Sequence, residues 1–300
     1  MKLLMLCRES RLYSCQRLVQ AAESKGCRLD IFDPNRFLLR LEQGQFQFYY
    51  HEGESYDKQR PEPIKINQYD GVLPRFGTSS TEMGCRVLRH FELQGTAVLN
   101  GAESVALARD KWQSLQRLNA HGIPIPITVL SGNLYSTAAG LTQFNLPVVI
   151  KTLSGSQGIG VMLSENKSST VSLLETLKNA DIQTLQQQFI AESKGQDIRA
   201  FVIGDRVVAT MARLGNGDEF RANIHRGGSA VNIHLSEQEQ QMAVAATQLL
   251  GLDVAGVDMI RSNQGLMVLE VNASPGLEMI ERVSQTDIAL LMIEQLLNKI

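Results

Sequence analysis

The stretch that decides the fold of this chain reads Val254-Ala-Gly-Val-Asp258-Met-Ile-Arg261, then Ser262-Asn-Gln-Gly265, then Leu266-Met-Val-Leu-Glu270-Val-Asn272-Ala-Ser-Pro-Gly276. Two short apolar segments on either side of a polar turn that ends in glycine predict a β-hairpin. Because side chains alternate between the two faces of a strand, we expect Val268, Glu270 and Asn272 to share one face. A turn near 262–265 then puts Asp258 opposite Glu270, within one residue of register.

Two carboxylates and one amide oxygen therefore converge on this hairpin. Like charges that lie so close repel each other, and one of them takes up a proton unless a cation lies between them. Hard oxygen ligands without histidine or cysteine suit Mg²⁺ or Mn²⁺, and nucleotide phosphates would complete the coordination shell. The alternative is an aspartate at a strand end and a glutamate in a salt bridge, because short motifs often occur by chance.

The composition indicates an ordinary soluble globular protein. A length of 300 residues suggests two domains, at roughly 150 residues per domain. The apolar fraction is 43% and the charged fraction 20%, both usual for globular chains. A net charge of −2 excludes an overall positive field for nucleic acid or an anionic membrane. The apolar N-terminal run is too short for a signal peptide, and we predict no membrane-spanning segment.

The four cysteines lie in the first third of the chain, at positions Cys7, Cys15, Cys27 and Cys85. None of them forms a C-x-x-C pair, which argues against a zinc site or a disulfide framework. We therefore expect free thiols in a reducing cytoplasm.

The first hundred residues predict a small parallel-sheet domain. Its elements are a strand at 2–7, a helix at 12–25 that ends at Gly26, a strand at 27–32, a small hairpin and loop within 40–66, a strand at 69–75, a helix at 79–94 and a strand at 97–100. We expect Leu12, Cys15, Leu18, Val19 and Ala22 to line the apolar face of the first helix. The first strand–helix turn contains no glycine, so the domain is Rossmann-like in outline but does not suit NAD.

The second half predicts an α+β arrangement with antiparallel strands. Its elements are a helix from Asp110-Lys111-Trp112 to about 122, strands at 147–151 and 159–163, a helix at 168–179, strands at 184–189 and within 197–213, a helix at 236–250, the hairpin, and a last helix near 285–298.

A glycine-rich loop follows the strand that ends at Lys151. It reads Ser154-Gly155-Ser-Gln-Gly158-Ile-Gly160. Glycines let the backbone approach a ligand, and successive N–H groups can surround phosphate oxygens. The loop lacks the spacing of a P-loop. Either it folds over phosphates that Lys151 also reaches, or it is a glycine-rich turn beside a surface lysine.

Two further stretches carry candidate ligand-binding groups. The backbone at Gln188-Phe189 could pair with the edge of an adenine, and Asp197 could accept hydrogen bonds from ribose hydroxyls. The segment Arg221-Ala222-Asn223-Ile-His225-Arg226-Gly-Gly could hold phosphates and carboxylates, since arginine binds both in a bidentate manner. A polar surface loop and a solvated basic loop are the respective alternatives.

Taken in order, these elements resemble the ATP-grasp superfamily, and within it the RimK-type α-L-glutamate ligases that modify ribosomal proteins. The likeness covers nearly the whole chain. It rests on Asp110-Lys111, Lys151 before Ser-Gly-Ser-Gln-Gly-Ile-Gly, Asp197-Ile-Arg199, Arg221-Ala-Asn223-Ile-His225-Arg226-Gly-Gly, Asp258 and Glu270-Val-Asn272-Ala-Ser-Pro-Gly276-Leu-Glu278. It includes Leu12-Tyr-Ser-Cys15 and Pro74-Arg75-Phe-Gly77.

The resemblance implies an α/β and α+β protein with the ATP-grasp fold. A Rossmann-like domain at 1–105 would precede an ATP-grasp domain at 106–300, whose subdomains at about 106–188 and 189–300 clamp ATP. The implied roles are phosphate binding by Lys111 and Lys151, adenine binding by Gln188 and Phe189, ribose binding by Asp197, contact of Arg221, Ala222 and Asn223 with the nucleotide phosphates and the acyl group, and binding of two Mg²⁺ or Mn²⁺ ions by Asp258, Glu270 and Asn272.

The resemblance also implies the reaction. It is an ATP-dependent ligation that adds L-glutamate, through an α-peptide bond, to the C-terminus of an acidic peptide or small-subunit ribosomal protein. An acyl phosphate is the intermediate, and Arg221 and Arg199 are expected to stabilise it as the catalytic residues. Arg226 and His225 could instead hold substrate carboxylates. The family likeness suggests a homo-tetramer in the cytoplasm, without direct nucleic-acid or membrane binding.

Three other functions compete with this one. A related ATP-grasp ligase could glutamylate an amino-group carrier protein or a cofactor tail. A nucleotide sensor without catalysis has less need of a full set of metal ligands. A dehydrogenase is suggested only by the glycine spacing, and the loop lacks the helix that a dinucleotide fingerprint requires.

Overall fold

The computed structural model describes residues 1–53, 61–153, 159–216, 220 and 228–300. The first part contains β1 (Lys2–Leu6), α1 (Tyr13–Ser24), β2 (Arg28–Phe32), β3 (Phe37–Glu42), β4 (Gln45–Tyr50), β5 (Ile64–Lys65), β6 (Gly71–Pro74), α2 (Thr81–Glu92) and β7 (Ala97–Val98). The second part contains α3 (Ala102–Arg109), α4 (Lys111–Ala120), β8 (Thr128–Leu130), α5 (Thr137–Gly140), β9 (Val148–Thr152), β10 (Val161–Ser164), α6 (Lys167–Asn179), β11 (Thr184–Gln188), β12 (Gln196–Ile203), β13 (Arg206–Leu214), β14 (Ser229–Asn232), α7 (Glu237–Leu249), β15 (Val254–Ser262), β16 (Gly265–Asn272), α8 (Glu278–Ser284) and α9 (Ile288–Leu297).

The N-terminal part contains the predicted parallel sheet. Its strand order is β2-β1-β6-β7, and all three strand pairs are parallel. Helix α1 is followed by Gly26 with a φ of +68°, the left-handed conformation that glycine adopts most easily after a helix. Leu12 does not join the apolar face, because it precedes the helix as its N-cap and is 54% exposed. The hairpin predicted within 40–66 is present, and its first strand begins earlier, at Phe37.

The second part contains two antiparallel sheets, with strand orders β10-β9-β11-β8 and β14-β13-β12-β15-β16. The helix predicted from Asp110 begins at Lys111 because the Asp110 side chain accepts hydrogen bonds from the backbone N–H groups of Trp112 and Gln113. Helices α3, α5 and α8 and strands β8 and β14 were absent from the sequence prediction. Each spans eight residues or fewer, too short for a clear periodic pattern.

The hairpin of β15 and β16 has the predicted turn, and Asp258 lies opposite Glu270. Met259 lies opposite Val268, so Leu269 is an extra residue that forms a β-bulge. The bulge reverses the alternation of faces along β16. Val268 is therefore fully buried in the same core cluster as Val271. The prediction that Val268 shares a face with Glu270 and Asn272 is wrong for this reason.

The five-stranded sheet packs against apolar groups on both faces. Ile198, Ala200 and Val202 of β12 join a core that includes α7. The alternate residues Phe201 and Ile203 join a second core, which includes β1, α1 and α9. The N-terminal part and this sheet thus share a core, which leaves the start of β12, at 197 and 199, beyond the apolar contacts. Among the described residues, no helix is both long and apolar enough to cross a membrane.

Candidate active site

Charged side chains from four neighbouring strands lie on one face of the five-stranded sheet. Asp197 lies opposite Arg213, Arg199 opposite Asp258, and Asp258 opposite Glu270. Residues directly opposite in antiparallel strands point to the same side, and so do residues two apart on one strand. Strand register alone therefore assembles this row of charges. Helix α7 packs on the opposite face of the sheet.

Four of these side chains form a continuous salt-bridge network. Arg199 donates to Asp258 in a bidentate manner, from Nε to Oδ1 at 2.6 Å and from Nη2 to Oδ2 at 2.7 Å. Arg213 donates to Asp197 through Nε and Nη2, both at 2.6 Å, and its Nη2 also reaches Asp258 Oδ2 at 2.8 Å. Two positive and two negative charges balance each other within this network.

The two aspartates differ in proton affinity. Burial favours the neutral form of Asp258, but the charges of Arg199 and Arg213 outweigh it and hold its pKa at about 2. For Asp197 burial outweighs the attraction of Arg213, and with the nearby charge of Asp258 it raises the pKa to about 6. Both carboxylates are therefore ionised at neutral pH, and the network keeps its charge.

Two lysines approach the row from the other sheet and from α4. Lys111, the first residue of α4, donates from Nζ to the carbonyl oxygens of Thr152 and Leu153, both at 3.1 Å. Lys151 belongs to β9. Burial lowers the pKa of both ammonium groups, and the charge of Glu270 opposes that effect in each case. The predicted phosphate lysines therefore lie within electrostatic reach of the predicted metal carboxylate.

The segment at Gln188 and Phe189 connects the two sheets. Gln188 ends β11, its backbone N–H donates to the Ile127 carbonyl at 2.8 Å, and its side-chain Oε1 accepts from the Ile127 N–H at 3.4 Å. Both residues are half-buried. The backbone N–H of Gln188 is thus already bonded within the protein.

Several candidate residues lie outside the described part of the chain. They are Arg221, Ala222, Asn223, His225 and Arg226, together with Gly155 and Gly158 of the glycine-rich loop. Their assignments stay predictions.

The oxygen groups of β15 and β16 fit a hard divalent cation in their chemistry. Glu270 and Asn272 are half-buried, and Asp258 is buried with both oxygens bonded to arginine. A carboxylate oxygen has a further lone pair, so these bonds do not use up its capacity. Within the described ranges, no group of three acidic, histidine or cysteine side chains is arranged to hold a metal. A metal site on this hairpin would therefore use the carboxylates of Asp258 and Glu270 and the amide oxygen of Asn272.

Arg213 is the member of the network to which sequence reasoning gave no role of its own, beyond its place shortly upstream of the arginine-rich segment at 221–226. It lies in the centre, since it contacts both aspartates. The turn between β12 and β13 is Gly204-Asp205, a dipeptide that predicts a two-residue hairpin. Its register alone would place Ala212 opposite Asp197. A β-bulge near Phe201 and Val202 shifts the pairing by one residue and places Arg213 there instead, so the pairing was not predictable to the residue.

Comparison with protein families matches both parts of the chain. Residues 1–105 match the RimK PreATP-grasp domain, and residues 108–296 match the RimK-like ATP-grasp domain. A protein of Haemophilus ducreyi described as a probable alpha-L-glutamate ligase is 59% identical over 301 residues, covering 99% of each chain. A Pasteurella multocida protein of the same description is 56% identical, covering 100% of this chain and 95% of that protein.

Solved structures share the fold at low sequence identity. The ATP-grasp ligase PsnB complexed with minimal precursor has a TM-score of 0.74 at 19% identity, covering 99% of this chain and 98% of that chain. A RimK domain ATP-grasp protein from Sphaerobacter thermophilus has a TM-score of 0.72 at 20% identity, with 99% and 100% covered. The D-alanine–D-alanine ligase of Bacillus anthracis, complexed with ATP, has 0.70 at 16% identity, with 100% and 97% covered.

These comparisons confirm the predicted ATP-grasp fold and the predicted class of ATP-dependent ligase. The matched domain models span almost the entire length, and the relatives align from end to end. The chain therefore belongs to the RimK-like ATP-grasp family.

Proposed function

We propose that this ligase adds L-glutamate, through an α-peptide bond, to the C-terminal carboxylate of an acidic peptide or small-subunit ribosomal protein. Relatives described as probable alpha-L-glutamate ligases support L-glutamate as the amino acid that is added. Structures of PsnB and of the macrocyclase MdnC with precursor peptides support a peptide acceptor. The observation that carries the proposal is the row of charged groups on one face of the five-stranded sheet, in which Glu270 lies opposite Asp258 and Asp258 opposite Arg199.

In this proposal ATP lies between the two antiparallel sheets. Lys111 and Lys151 neutralise the phosphates, and their partial burial strengthens that attraction because little water screens it. The backbone after Gln188, together with Phe189, takes the adenine. Asp197 takes the ribose through the lone pairs that Arg213 leaves open. The proposed contacts of Arg221, Ala222 and Asn223 with the nucleotide phosphates and the acyl group complete the site.

Asp258, Glu270 and Asn272 are the residues that would hold the two proposed Mg²⁺ or Mn²⁺ ions. When bound, such ions neutralise phosphate charge. A PsnB structure that contains Mg and ADP supports the same chemistry in a protein of this fold. The bonds from Arg199 and Arg213 hold the Asp258 carboxylate in one orientation, so the protein sets the direction of this donor in advance.

The proposed reaction has two steps and needs no protein nucleophile. The acceptor carboxylate attacks the γ-phosphorus of ATP, which forms an acyl phosphate and releases ADP. The neutral amine of glutamate then attacks the acyl carbon, the carbon–oxygen bond to phosphate breaks, and the amine loses a proton. Catalysis rests on positioning and charge neutralisation. Arg199 uses Nε and Nη2 for Asp258, and in this proposal its Nη1 stabilises the acyl phosphate, a role that it shares with Arg221.

Further features of the proposal rest on the family likeness. They are the division into a domain at 1–105 and an ATP-grasp domain at 106–300 with subdomains at about 106–188 and 189–300, the homo-tetramer, and the cytoplasmic location.

Mass spectrometry of acceptors tests the proposal. The protein is incubated with ATP, Mg²⁺ and glutamate, and with either a peptide that ends in Glu-Glu or an amino-group carrier protein. We expect stepwise glutamyl additions to the peptide, with one ADP released for each addition. Additions to the carrier protein alone would instead favour the related carrier-protein ligase, and ADP release without any mass increase would contradict both.

A further inference from the structure

We propose that Arg75 and Arg109 form a second carboxylate-binding site, the Arg75–Arg109 subsite, which holds a substrate carboxylate that does not react. This inference rests on the proposed function, because it concerns the amino-acid substrates of that reaction. The subsite lies between the segment after β6 and the end of α3, next to the loop after β16.

The two arginines meet at the segment that follows β6. Arg75 comes directly after the last residue of β6, at the carboxyl end of the parallel sheet. In open parallel sheets this is the edge where ligands bind. Arg109 ends α3, its Nη2 donates to the Phe76 carbonyl at 2.6 Å, and its guanidinium lies 5.7 Å from the centre of the Phe76 ring.

The subsite adjoins the salt-bridge network. Arg75 donates from Nη2 to the carbonyl oxygen of Pro275 at 2.8 Å. Pro275 in turn packs on Gly256, where an added Cβ would lie 2.8 Å from the proline Cβ and 3.4 Å from Arg199 Nε. Pro275 and Arg199 Nε therefore lie over the same glycine, and Arg75 bonds to the carbonyl of that proline. In this proposal, a substrate that reaches the acyl phosphate beside Arg199 extends towards Arg75.

In the described part of the chain, neither guanidinium group forms an ion pair with an aspartate or glutamate. The acidic groups that attract them are thiols, those of Cys7 and Cys15 for Arg75 and that of Cys85 for Arg109. Arg75 lies close enough to lower the pKa of Arg109 by repulsion, in addition to the larger effect of burial. The Nε atoms of both arginines are buried without a hydrogen-bond partner, and so is the hydroxyl of Ser274 beside Pro275.

A carboxylate is the ligand that satisfies these groups. A guanidinium group whose Nε is buried without a partner is unfavourable, so two neighbouring ones indicate an anion that arrives from outside. The guanidinium fork matches the two oxygens of a carboxylate, and a serine hydroxyl can donate to either. Glutamate carries two carboxylates besides its amine, and an acidic acceptor carries a side-chain carboxylate beside the reacting one. Both substrates thus offer the required group.

Kinetics with matched substrates test the inference in two arms. In the acceptor arm, a peptide that ends in Glu is compared with one that ends in Gln, at saturating glutamate. In the glutamate arm, glutamate is compared with glutamine as the amine, at saturating acceptor. We expect the wild-type enzyme to prefer the carboxylate by about tenfold or more in kcat/KM in one arm, the usual effect of losing a charged hydrogen bond. R75Q and R109Q should abolish that preference in the same arm while the KM for ATP stays unchanged.

R86Q is the matched control, because Arg86 is exposed on α2 of the same part and pairs with Glu82. It should keep the wild-type preference. If R75Q does not fold, R75K retains the charge without the bidentate fork, and we expect it to weaken the preference in the same arm. The inference would be overturned if the Arg75 variant (R75Q, or R75K in its place) and R109Q both kept the wild-type preference for the carboxylate in both arms. That outcome would leave the proposed ligation itself intact. A wild-type enzyme that attaches glutamate to no acceptor would overturn the proposed function, and this inference with it.

Discussion

The two groups of half-buried arginines in this molecule differ in the charges that face them. Arg199 and Arg213 lie in the five-stranded sheet, where each donates to an aspartate on a neighbouring strand. Arg75 and Arg109 lie at the edge of the parallel sheet, where each donates to a backbone carbonyl and repels the other. The first group is neutralised by carboxylates of the protein, and within the described residues the second group has no carboxylate partner.

This difference distinguishes a supporting role from a binding role. The network in the sheet is complete before any substrate arrives, so it can fix the orientation of Asp258. Removing one member of such a network leaves a buried charge without a partner, which is strongly unfavourable. The subsite at the parallel sheet is completed only by an anion from outside, so its arginines are expected to matter for binding rather than for stability.

The largest effect is expected for Glu270→Gln. This variant tests whether activity requires the charge of Glu270, which lies outside the balanced salt-bridge network. The variant should lower ATP-dependent ligation by about a thousandfold, because it removes a charge that the proposed phosphate site requires. Its melting temperature should stay near the wild-type value, since Glu270 forms no ion pair with a described residue. Glu278→Gln, at an exposed pair with Arg282, is the control for activity measured by ADP release and product mass. Wild-type turnover in Glu270→Gln would contradict the metal assignment.

Arg213→Met tests the balanced side of the comparison through stability. It leaves Asp197 without its bidentate partner and weakens the attraction on Asp258, so we expect a loss of about 3–5 kcal/mol in the free energy of unfolding. Arg261→Met is the matched control, because Arg261 is 53% exposed in its pair with Glu239 and should lose about 1 kcal/mol or less. Urea denaturation measures both. An equal loss in the two variants would show that the network contributes no more than a surface pair.

Arg75→Met tests the second group, whose arginines have no carboxylate partner among the described residues. The free energy of unfolding is again measured by urea denaturation, on the ligand-free protein. It removes a charge that lacks a counter-charge together with one hydrogen bond, the one to Pro275. These effects oppose each other, so the free energy of unfolding should change by no more than about 1 kcal/mol in either direction. A loss as large as that of Arg213→Met would remove the distinction between the two groups.

The smallest effect is expected at His90, another buried titratable group of the N-terminal part. His90 is 6% exposed between Phe46 and Phe48, and burial lowers its pKa below the ordinary value of 6.5. The unfolded chain therefore binds a proton at a higher pH than the folded one, and stability falls as the pH drops below 6.5. His90→Phe should make the melting temperature less dependent on pH between about 7 and 5. An unchanged slope in a series of melting curves would exclude His90 as its source.

Much of the fold was predictable because it depends on local patterns. The strand and helix at the N-terminus, the order of elements around Lys151 and the hairpin with Asp258 opposite Glu270 follow from alternation, helical periodicity and turn residues. The bulge at Leu269 was not predictable, because no residue there signals an extra position. It moved Val268 into the core and left Glu270 on the charged face.

The candidate site was predictable only in part. Residue types pointed to Lys111, Lys151, Asp258 and Glu270 one by one, but the hydrogen bonds of Asp258 depend on three strands in register. A carboxylate that looked like a free metal ligand is also the partner of two arginines. Roles that fall on Arg221, Ala222 and Asn223 remain predictions.

By itself the sequence determined the period of each element, the position of the hairpin turn and the family to which the chain belongs, since these depend on neighbouring residues and on motifs read in order. Only the tertiary structure decided which charges meet. Arg75 and Pro275 are 200 positions apart in the sequence but share a hydrogen bond. Lys151 and Glu270 belong to different sheets but interact electrostatically. Such contacts follow from how sheets and helices pack around shared cores, and packing depends on the whole chain at once rather than on any local pattern.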